Sequence, residues 1–275
     1  MATGEGPRVS GAVVVVTGGA SGIGRALAER AAAEGARHVV VADRNEALAR
    51  EVAAGLRFPQ GDGQGGGPRA SGLGLDVTDE QAVRAVVQRI ERDLGTPDIW
   101  CSNAGLIGEE GLGSDAAWDL TFRVHVLAHV YVARHVLPGM LARGSGHVMI
   151  TASAAGLLTE MDAAPYAVTK HGSVALAEWL AIRHGGSGVS FSCLCPQGVT
   201  TPMTDVLPAD ATVRAAAPFL EPAQVADAVI AAWAQGTFLI LPHPEVADYE
   251  RRRATDRDRW LAGMSRAWRQ LRGRA

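Results

Sequence analysis

The chain is poor in cysteine and in aromatic residues. Its 275 residues include three Cys, three Tyr and five Phe. An odd number of cysteines, with Cys193 and Cys195 in an apolar strand-like run, argues against a disulfide framework and indicates reduced, buried thiols. With so few aromatic rings, the core must be built mainly from Ala, Val and Leu, within a hydrophobic content of 47%.

Long apolar runs are also missing. No stretch approaches the length that a membrane-spanning helix requires. Residues 1–10 contain Gly, Glu and Pro, without the apolar centre of a signal peptide. We therefore expect a cytoplasmic protein without a membrane partner, in which residues 1–10 form a flexible N-terminus.

Positive charge is concentrated at the C-terminal end. Residues 249–275 contain nine Arg against three acidic residues, a balance of +6 in a chain whose net charge is −3. Such a segment can bind nucleic acid. Its apolar residues, however, recur at helical spacing and need a packing partner: Trp260, Leu261, Met264, Trp268 and Leu271. We expect a helical extension over 243–275 that docks on its own or a sister subunit. Nucleic-acid binding is the less favoured alternative, so no nucleic-acid partner is predicted.

Strand-like and helix-like segments alternate along the remainder. Residues 11–17 form an apolar, β-branched run typical of a buried parallel strand, and an Ala-rich helix then extends to about Glu34. Further strands are predicted at 37–43, 73–76, 98–102, 147–151, 189–195 and 237–241, and a Gly- and Pro-rich loop at 58–71. This alternation predicts a single α/β domain over 11–242, a Rossmann-like, doubly wound parallel sheet with helices on both faces.

A glycine-rich turn follows the first strand directly and opens the first helix, in the sequence Thr17-Gly18-Gly19-Ala20-Ser21-Gly22-Ile23-Gly24. Glycines let the backbone approach a pyrophosphate closely, and the helix N-terminus offers free N–H groups and a positive dipole end. A buried strand on one side and an Ala-rich helix on the other are the context that this motif requires. The turn therefore predicts a dinucleotide cofactor, with Thr17, Gly18, Ser21, Gly22, Ile23 and Gly24 around its phosphates.

The second strand ends in Asp43, nineteen residues after Gly24. A carboxylate at this position can accept hydrogen bonds from the hydroxyls of the adenosine ribose, and it repels a 2′-phosphate. Ser21 supplies no cation inside the glycine turn. NAD is therefore expected, whereas the neighbouring Arg44, a good phosphate ligand, keeps NADP as the less favoured cofactor.

Tyr166 and Lys170 lie four residues apart, and Ser153 precedes the tyrosine by thirteen. On a helix, residues at i and i+4 share a face, so the phenol and the ammonium can point into one pocket. A cation beside a phenol favours the phenolate and makes the tyrosine a usable acid or base. Taken alone, the spacing also suits an ordinary surface pair.

Together these motifs resemble the short-chain dehydrogenase/reductase family over about residues 12–241. Two further motifs carry the resemblance: Asp76-Val77, which in the family lies beside the adenine, and Asn103-Ala104-Gly105 after the fourth strand. The resemblance implies that Ser153 hydrogen-bonds the substrate oxygen and that Tyr166 moves the proton on that oxygen. It also implies that Lys170 holds the nicotinamide ribose and depresses the tyrosine pKa.

The same resemblance places a loop with the sequence Pro196-Gln197-Gly198-Val199-Thr200-Thr201 beside the nicotinamide. Pro196, Gly198, Val199 and Thr201 are thereby expected among the cofactor contacts. Gln197 stands where the family commonly has Gly, and its amide can reach substrate or cofactor, or point to solvent.

His125 is the second departure, because the family usually has Asn at this position, seven residues past a Trp (here Trp118). The His is either tolerated helix packing or part of a modified proton relay, since an imidazole can bind water and titrate near neutral pH. His125 and His129 also share the i, i+4 spacing of zinc-binding helices. No acidic or Cys partner stands in register, so no metal is expected.

The expected activity is that of an NAD-dependent alcohol dehydrogenase or ketone reductase. The segments that close the pocket in the family are apolar here, which favours a lipophilic secondary alcohol or ketone: Leu157, Leu158, Met161, Met203, Val206, Leu207, Phe219 and Leu220. The alternative is a protein of the same fold that binds NAD without turnover, as a sensor or scaffold. Relatives with this pattern assemble through long helices at about 115–143 and 163–185, so a homodimer or homotetramer is expected.

Overall fold

The computed structural model describes residues 6–59, 69–208, 211–216 and 218–273. Most of the predicted Gly- and Pro-rich loop, residues 60–68, lies outside this part of the chain, as do residues 1–5 of the predicted N-terminal segment. Within it, no helix combines the length and the apolar character needed to cross a membrane.

Seven strands form one parallel sheet in the order β3-β2-β1-β4-β5-β6-β7. They are β1 (Val13–Thr17), β2 (His38–Asp43), β3 (Ala70–Gly74), β4 (Ile99–Ser102), β5 (Gly146–Thr151), β6 (Val189–Leu194) and β7 (Leu239–Ile240). Because all seven run in the same direction, their carboxyl ends meet at one edge, where ligands bind in open α/β sheets. The doubly wound parallel sheet predicted from the sequence is confirmed.

The third strand was placed too late by the sequence pattern, which predicts 73–76 where the structure has Ala70–Gly74. Its small residues carry little strand preference of their own, and pairing with β2 recruits them. A Cβ at Gly72 would lie 2.3 Å from the backbone N of Arg50, so the absence of a side chain lets a helix pack directly on this edge strand.

Helices cover both faces of the sheet. They are α1 (Gly22–Ala33), α2 (Glu46–Gly55), α3 (Glu80–Leu94), α4 (Asp115–Phe122), α5 (Ala128–Arg143), α6 (Ala155–Leu158), α7 (Ala164–Arg183), α8 (Pro202–Asp205), α9 (Thr212–Ala216), α10 (Pro222–Ala234), α11 (Glu245–Thr255) and α12 (Arg257–Arg272). Alternate residues of β1 point to opposite faces: Val13 and Val15 join the core beneath α3, α5 and α7, whereas Val14 and Val16 join the core beneath α1, α2 and α10.

The helix expected across 115–143 is present, but its α-helical geometry is interrupted. A π-helical turn at Arg123–Leu127 separates α4 from α5, and within it the backbone N–H of Ala128 donates to the carbonyl of Arg123, five residues earlier. An apolar periodicity read at 3.6 residues per turn does not reveal one extra residue in a single turn. Such turns occur frequently at functional sites, and His125 lies at the centre of this one.

The C-terminal extension forms two helices, α11 and α12, that fold back on the chain. The ring of Trp260 lies 6.5 Å from that of Tyr249, and α11 packs against α6. Docking on the same chain, one of the two predicted partners, is therefore observed, although Leu261 and Trp268 remain 58% and 41% exposed.

A buried histidine in the sheet predicts how the fold responds to acid. His147 of β5 is hydrogen-bonded to the hydroxyls of Ser190 and Ser192, each at 2.8 Å, and burial lowers its pKa to about 3. Between pH 6.5, the ordinary pKa of histidine, and about pH 3, the unfolded chain binds a proton that the folded chain does not. The free energy of unfolding therefore falls as pH decreases through this window, by about 1.4 kcal/mol per pH unit for one such group.

We therefore expect His147→Gln to flatten the pH dependence of the unfolding free energy between about pH 6 and pH 4 by that one-proton slope. Urea unfolding of the wild type and the variant at a series of pH values measures it. An unchanged slope in a folded variant would contradict the assignment.

Candidate active site

The glycine-rich turn has the geometry of a phosphate cradle. Gly18 and Gly22 have positive φ angles of 64° and 51°. A Cβ at Gly18 would lie 2.8 Å from Cα of Ala104, and one at Gly24 would lie 2.1 Å from the carbonyl O of Gly18. Side chains are therefore excluded at these positions, and the backbone itself lines the turn.

The start of α1 is suited to an anion. Ser21 is the N-cap residue, but its side chain makes no capping hydrogen bond, and the first turn of the helix carries no acidic residue. The N–H groups and the positive end of the helix dipole thus face the turn without a competing carboxylate. With Ile23 packed on the core below, the turn fits the pyrophosphate of a dinucleotide.

Asp43 lies where the sequence predicts a ribose ligand. Its two carboxylate oxygens accept the backbone N–H groups of Ala20 at 3.2 Å and Asn45 at 3.0 Å, which fixes it between the glycine turn and the end of β2. Arg44 is exposed beside it.

Further along the edge, the Asp76 carboxylate accepts both the N–H and the hydroxyl of Thr78, and Val77 is buried.

The side chains of Thr17 and Asn103 turn inward rather than toward the cleft. The Thr17 hydroxyl oxygen accepts the N–H groups of Asn103 at 2.9 Å and Ala104 at 3.2 Å. The Asn103 amide donates to the Thr17 carbonyl at 3.1 Å and accepts from the Thr151 hydroxyl at 3.0 Å. These two residues join the ends of β1, β4 and β5, and their contact with a cofactor stays a prediction.

Ser153, Tyr166 and Lys170 come together at the carboxyl edge, as predicted. The Ser153 hydroxyl lies near enough to the Tyr166 phenol to oppose the rise of the phenol pKa. Lys170 is 3% exposed, its Nζ donates to the Thr151 carbonyl at 3.1 Å, and the same Nζ lies 5.7 Å from the centre of the Tyr166 ring. Lys170 is therefore buried and Tyr166 half-buried in one pocket, so the i, i+4 pair is not a surface pair.

The pKa of Tyr166 differs from the sequence expectation. Burial raises it above its ordinary value, the Ser153 hydroxyl opposes the rise, and the charge of Glu160 adds to it. Burial also lowers the pKa of Lys170 to about 8. In the protein alone, the cost of burying a phenolate thus outweighs the neighbouring ammonium, so the depressed tyrosine pKa is not a property of these side chains by themselves.

His125 is fully buried in the π-helical turn, and both of its ring nitrogens have partners. Nε2 accepts the backbone N–H of Leu106 at 3.2 Å, and Nδ1 lies 2.9 Å from the hydroxyl oxygen of Thr169. Since Nε2 is the acceptor, Nδ1 carries the proton of the neutral ring. The His125 carbonyl accepts the hydroxyl of Ser173 at 2.7 Å.

This arrangement bears on the two roles left open for His125. Burial, reinforced by the charge of Lys170, lowers its pKa well below the ordinary value, so the ring stays neutral. With both nitrogens engaged, the ring ties the loop after β4 to α7, and its edge packs against Tyr166 at 5.4 Å between centroids. These contacts agree with a packing role for His125, one of its two expected roles, whereas a part in a proton relay stays a prediction.

The second histidine of the pair, His129, bonds through Nδ1 to the Ser102 hydroxyl at 2.7 Å. Among the described residues, no group of three His, Cys, Asp or Glu side chains is placed to hold a metal ion.

The loop after β6 lies against the catalytic serine. The Pro196 carbonyl accepts the N–H of Ala154 at 2.8 Å and the Ser153 hydroxyl at 3.4 Å. The N–H of Gln197 donates to Nδ1 of His243 at 3.2 Å, a contact that no sequence signal indicated. Val199 pairs with Leu220, and a Cβ at Gly198 would lie 2.4 Å from the Phe219 ring. Thr201 then caps α8.

The predicted apolar lining is only partly at the site. Leu157 and Leu158 belong to the core beneath α7, and Val206 is 75% exposed, so these three do not form an open pocket wall. Met203 does reach the site. A Cβ at Gly105 would lie 3.8 Å from its Cε and 3.7 Å from both the Lys170 ammonium and Nε2 of His125.

Comparison with known proteins agrees with this geometry. A family model described as short chain dehydrogenase matches residues 12–212. The sex determination protein tasselseed-2 of Zea mays is 35% identical over 204 residues, which cover 71% of this chain and 57% of that protein. The 1-deoxy-11-beta-hydroxypentalenate dehydrogenase of Streptomyces exfoliatus is 36% identical over 203 residues, which cover 71% of this chain and 70% of that protein. The match thus spans little more than half of the maize protein.

A solved structure shares the whole architecture. A short chain dehydrogenase/reductase from Burkholderia phymatum in complex with NAD aligns with a TM-score of 0.79 and 29% identity, covering 91% of this chain and 95% of that one. One conclusion follows from the match over residues 12–212, from the seven-stranded parallel sheet and from the joined serine, tyrosine and lysine. The chain belongs to the short-chain dehydrogenase/reductase family of oxidoreductases.

Proposed function

We propose that the protein is an NAD-dependent dehydrogenase or ketone reductase for a lipophilic secondary alcohol or ketone, with Tyr166 as general acid and base. The observation that carries this proposal is the joining of Ser153, Tyr166 and Lys170 in one pocket, with Ser153 and Lys170 buried and Tyr166 half-buried. The dehydrogenase from Streptomyces exfoliatus, whose name describes a hydroxylated substrate, supports a hydroxyl as the reacting group.

The nicotinamide cofactor, held by the glycine turn, Asp43 and Lys170, supplies exchange of a hydride with the carbon that bears the oxygen. The side chains of this chain manage the proton. The Ser153 hydroxyl orients the substrate oxygen, and the Tyr166 phenolate takes the proton of an alcohol, or the phenol gives one to a ketone. Ser153 is itself held by the Pro196 carbonyl and the N–H of Ala155.

The raised pKa of Tyr166 means that the phenol is favoured over the phenolate unless a further positive charge lies nearby. Each pKa unit corresponds to about 1.4 kcal/mol of differential stabilisation between phenol and phenolate. Burial works against the phenolate, so a positive charge beyond the Lys170 ammonium is needed beside the ring. The oxidised form of the cofactor carries such a charge, which couples deprotonation of Tyr166 to its binding.

The cofactor preference is proposed from Asp43. Its carboxylate stands at the end of β2 and has backbone donors on both oxygens, which fix its orientation, and a carboxylate at this position repels a 2′-phosphate. Arg44 does not supply the opposite preference by itself, because its side chain is exposed.

Tyr166→Phe should lower kcat/KM by roughly 10²–10⁴-fold and leave dinucleotide binding unchanged, because it removes only the proton donor. The assay follows reduced-nicotinamide absorbance over a panel of secondary alcohols and ketones, with NAD and with NADP. Tyr131→Phe, a partly exposed tyrosine of α5, is the matched control and should retain full activity. Tight NAD binding without turnover of any substrate by the wild type would favour the sensor or scaffold instead.

Asp43→Asn should reduce the preference for NAD over NADP by roughly 10- to 100-fold, since the amide keeps the shape of the carboxylate but loses its repulsion of phosphate. Ratios of kcat/KM for the two cofactors measure the effect. Asp93→Asn, at an exposed ion pair far from the cleft, serves as the control. An unchanged ratio in Asp43→Asn would remove the basis for assigning NAD.

His125→Asn should retain or raise activity, because the amide oxygen can accept from Leu106 and the amide nitrogen can donate to Thr169 in place of the imidazole. His125→Leu offers neither contact and leaves the Leu106 N–H unpaired, at a cost of about 1–3 kcal/mol. We expect the Asn variant to keep kcat within a few-fold of the wild type and the Leu variant to lose thermal stability and turnover together. A collapse of turnover in a stable Asn variant would show that the imidazole itself is required.

A further inference from the structure

The segment after the nicotinamide loop has contacts at both ends of the proposed site, with the glycine cradle and with the residues just before the tyrosine helix. We call its described residues, 201–208 and 211–216, the cover segment. It begins at the glycine cradle, where a Cβ at Gly22 would lie 3.0 Å from Cγ2 of Thr201. It then brings Met203 beside Gly105, and it ends in α9 on the opposite side of the cleft.

The far end of the cover segment is held by Asp162. One carboxylate oxygen of Asp162 accepts both the backbone N–H of Thr212 at 2.7 Å and its hydroxyl at 2.8 Å. The Asp162 carbonyl also accepts the N–H of Gly111 at 2.7 Å. Asp162 lies four residues before Tyr166, so this carboxylate links the cover segment to the start of the helix that carries the catalytic tyrosine.

Asp162 is an unfavourable residue to bury alone. Its side chain is 12% exposed, and Glu160 lies beside it, accepting the Thr212 hydroxyl at 3.3 Å. The pKa of Glu160 is raised by burial and also by the charge of Asp162, which shows that the two carboxylates repel each other. A buried carboxylate in such a pair needs a compensating cation.

The cation comes from the C-terminal extension. The guanidinium of Arg272, near the end of α12, donates to the second carboxylate oxygen of Asp162 at 3.0 Å. The Arg272 side chain is 31% exposed, so the ion pair is shielded from solvent on the carboxylate side. This contact joins residues 110 positions apart, and its arginine lies beyond the stretch matched by the family model, which ends at residue 212.

We infer that Arg272 is a positioning residue for substrate binding. By pairing with the second oxygen of Asp162, it keeps the carboxylate oriented to receive Thr212, and the far end of the cover segment is thereby held next to the tyrosine helix. The inference rests on the proposed function only for the statement that the covered cleft holds an alcohol or ketone. The coupling of Arg272 to the cover segment stands on the contacts themselves.

Hydrogen exchange of the full-length protein tests the coupling without any substrate. In Arg272→Gln, amide exchange in peptides containing Thr212 should become roughly tenfold faster, because the N–H of Thr212 loses its fixed acceptor. Arg272→Lys should restore part of the protection. Arg269→Gln, an exposed arginine of the same helix, should change nothing.

Two results of this experiment would overturn the inference. One is unchanged exchange at Thr212 in Arg272→Gln. The other is an equal acceleration in α3, which is remote from the contact and would indicate general destabilisation. In a further arm, Asp162→Asn should accelerate exchange at Thr212 by itself, and adding Arg272→Gln to it should have little further effect. Additive accelerations would show that Arg272 does not act through Asp162.

The kinetic arm uses the best substrate of the alcohol and ketone panel. Arg272→Gln should raise KM for that substrate roughly 3- to 10-fold, leave KM for the dinucleotide within about twofold and change kcat little. A fall in kcat with both KM values unchanged would contradict a positioning role in substrate binding. If the wild type turns over no substrate, the proposed function fails while the exchange result still decides the coupling.

Discussion

A row of hydrogen bonds along the carboxyl edge of the sheet is the feature on which the rest of the site depends. It runs from the Thr17 hydroxyl to Asn103, from the Asn103 amide to the Thr151 hydroxyl, and from the Thr151 carbonyl to the Lys170 ammonium. The parallel register of β1, β4 and β5 brings these groups level with one another. The glycine turn and Lys170, the proposed phosphate cradle and catalytic lysine, are therefore held by one connected structure, and a shift of any of the three strands would displace both.

Burial of that edge determines the electrostatics of the proton-transfer site. It lowers the pKa of Lys170 and raises that of Tyr166, which is the opposite of what a general base requires. The resting site therefore favours a neutral phenol, and in the proposed function the positive charge of an oxidised nicotinamide would favour the phenolate. His125 adds no charge of its own, because burial keeps it neutral and both ring nitrogens are bonded. Its effect on Tyr166 is exerted through the position of α7.

Much of this could be predicted from local sequence. The β-branched run of β1, the glycine turn and the Tyr166–Lys170 spacing each depend on neighbours close in the chain, and each is found as expected. The start of β3 was misplaced because its Ala, Ser and Gly residues become a strand only through pairing with β2. The π-helical turn around His125 cannot be predicted from the sequence, because a single widened turn leaves the apolar pattern almost unchanged.

Other features depend on contacts that a spacing argument cannot reach. Leu157 and Leu158 were expected to line a pocket, but α6 turns them into the core beneath α7. The direction of the Tyr166 pKa shift follows from burial, which is a property of the packed site and not of a four-residue spacing. His243 and Arg272 reach the site from far along the chain, and neither lies in a recognisable motif.

The distribution of these contacts separates two parts of the site. Residues that handle the cofactor and the proton lie within the stretch that the family model matches, on strands and helices of the sheet. The substrate side is held differently, by Asp162 at the start of α7, by Thr212 at the end of the matched stretch and by Arg272 near the end of the chain. A buried carboxylate is costly without a cation, so the acidic pair at 160 and 162 and the basic helix α12 depend on each other physically. The C-terminal extension is thereby part of the substrate side of the cleft. A change in Asp162 or Arg272 alters how the cover segment is held. It leaves the hydrogen bonds among Thr17, Asn103, Thr151 and Lys170 undisturbed.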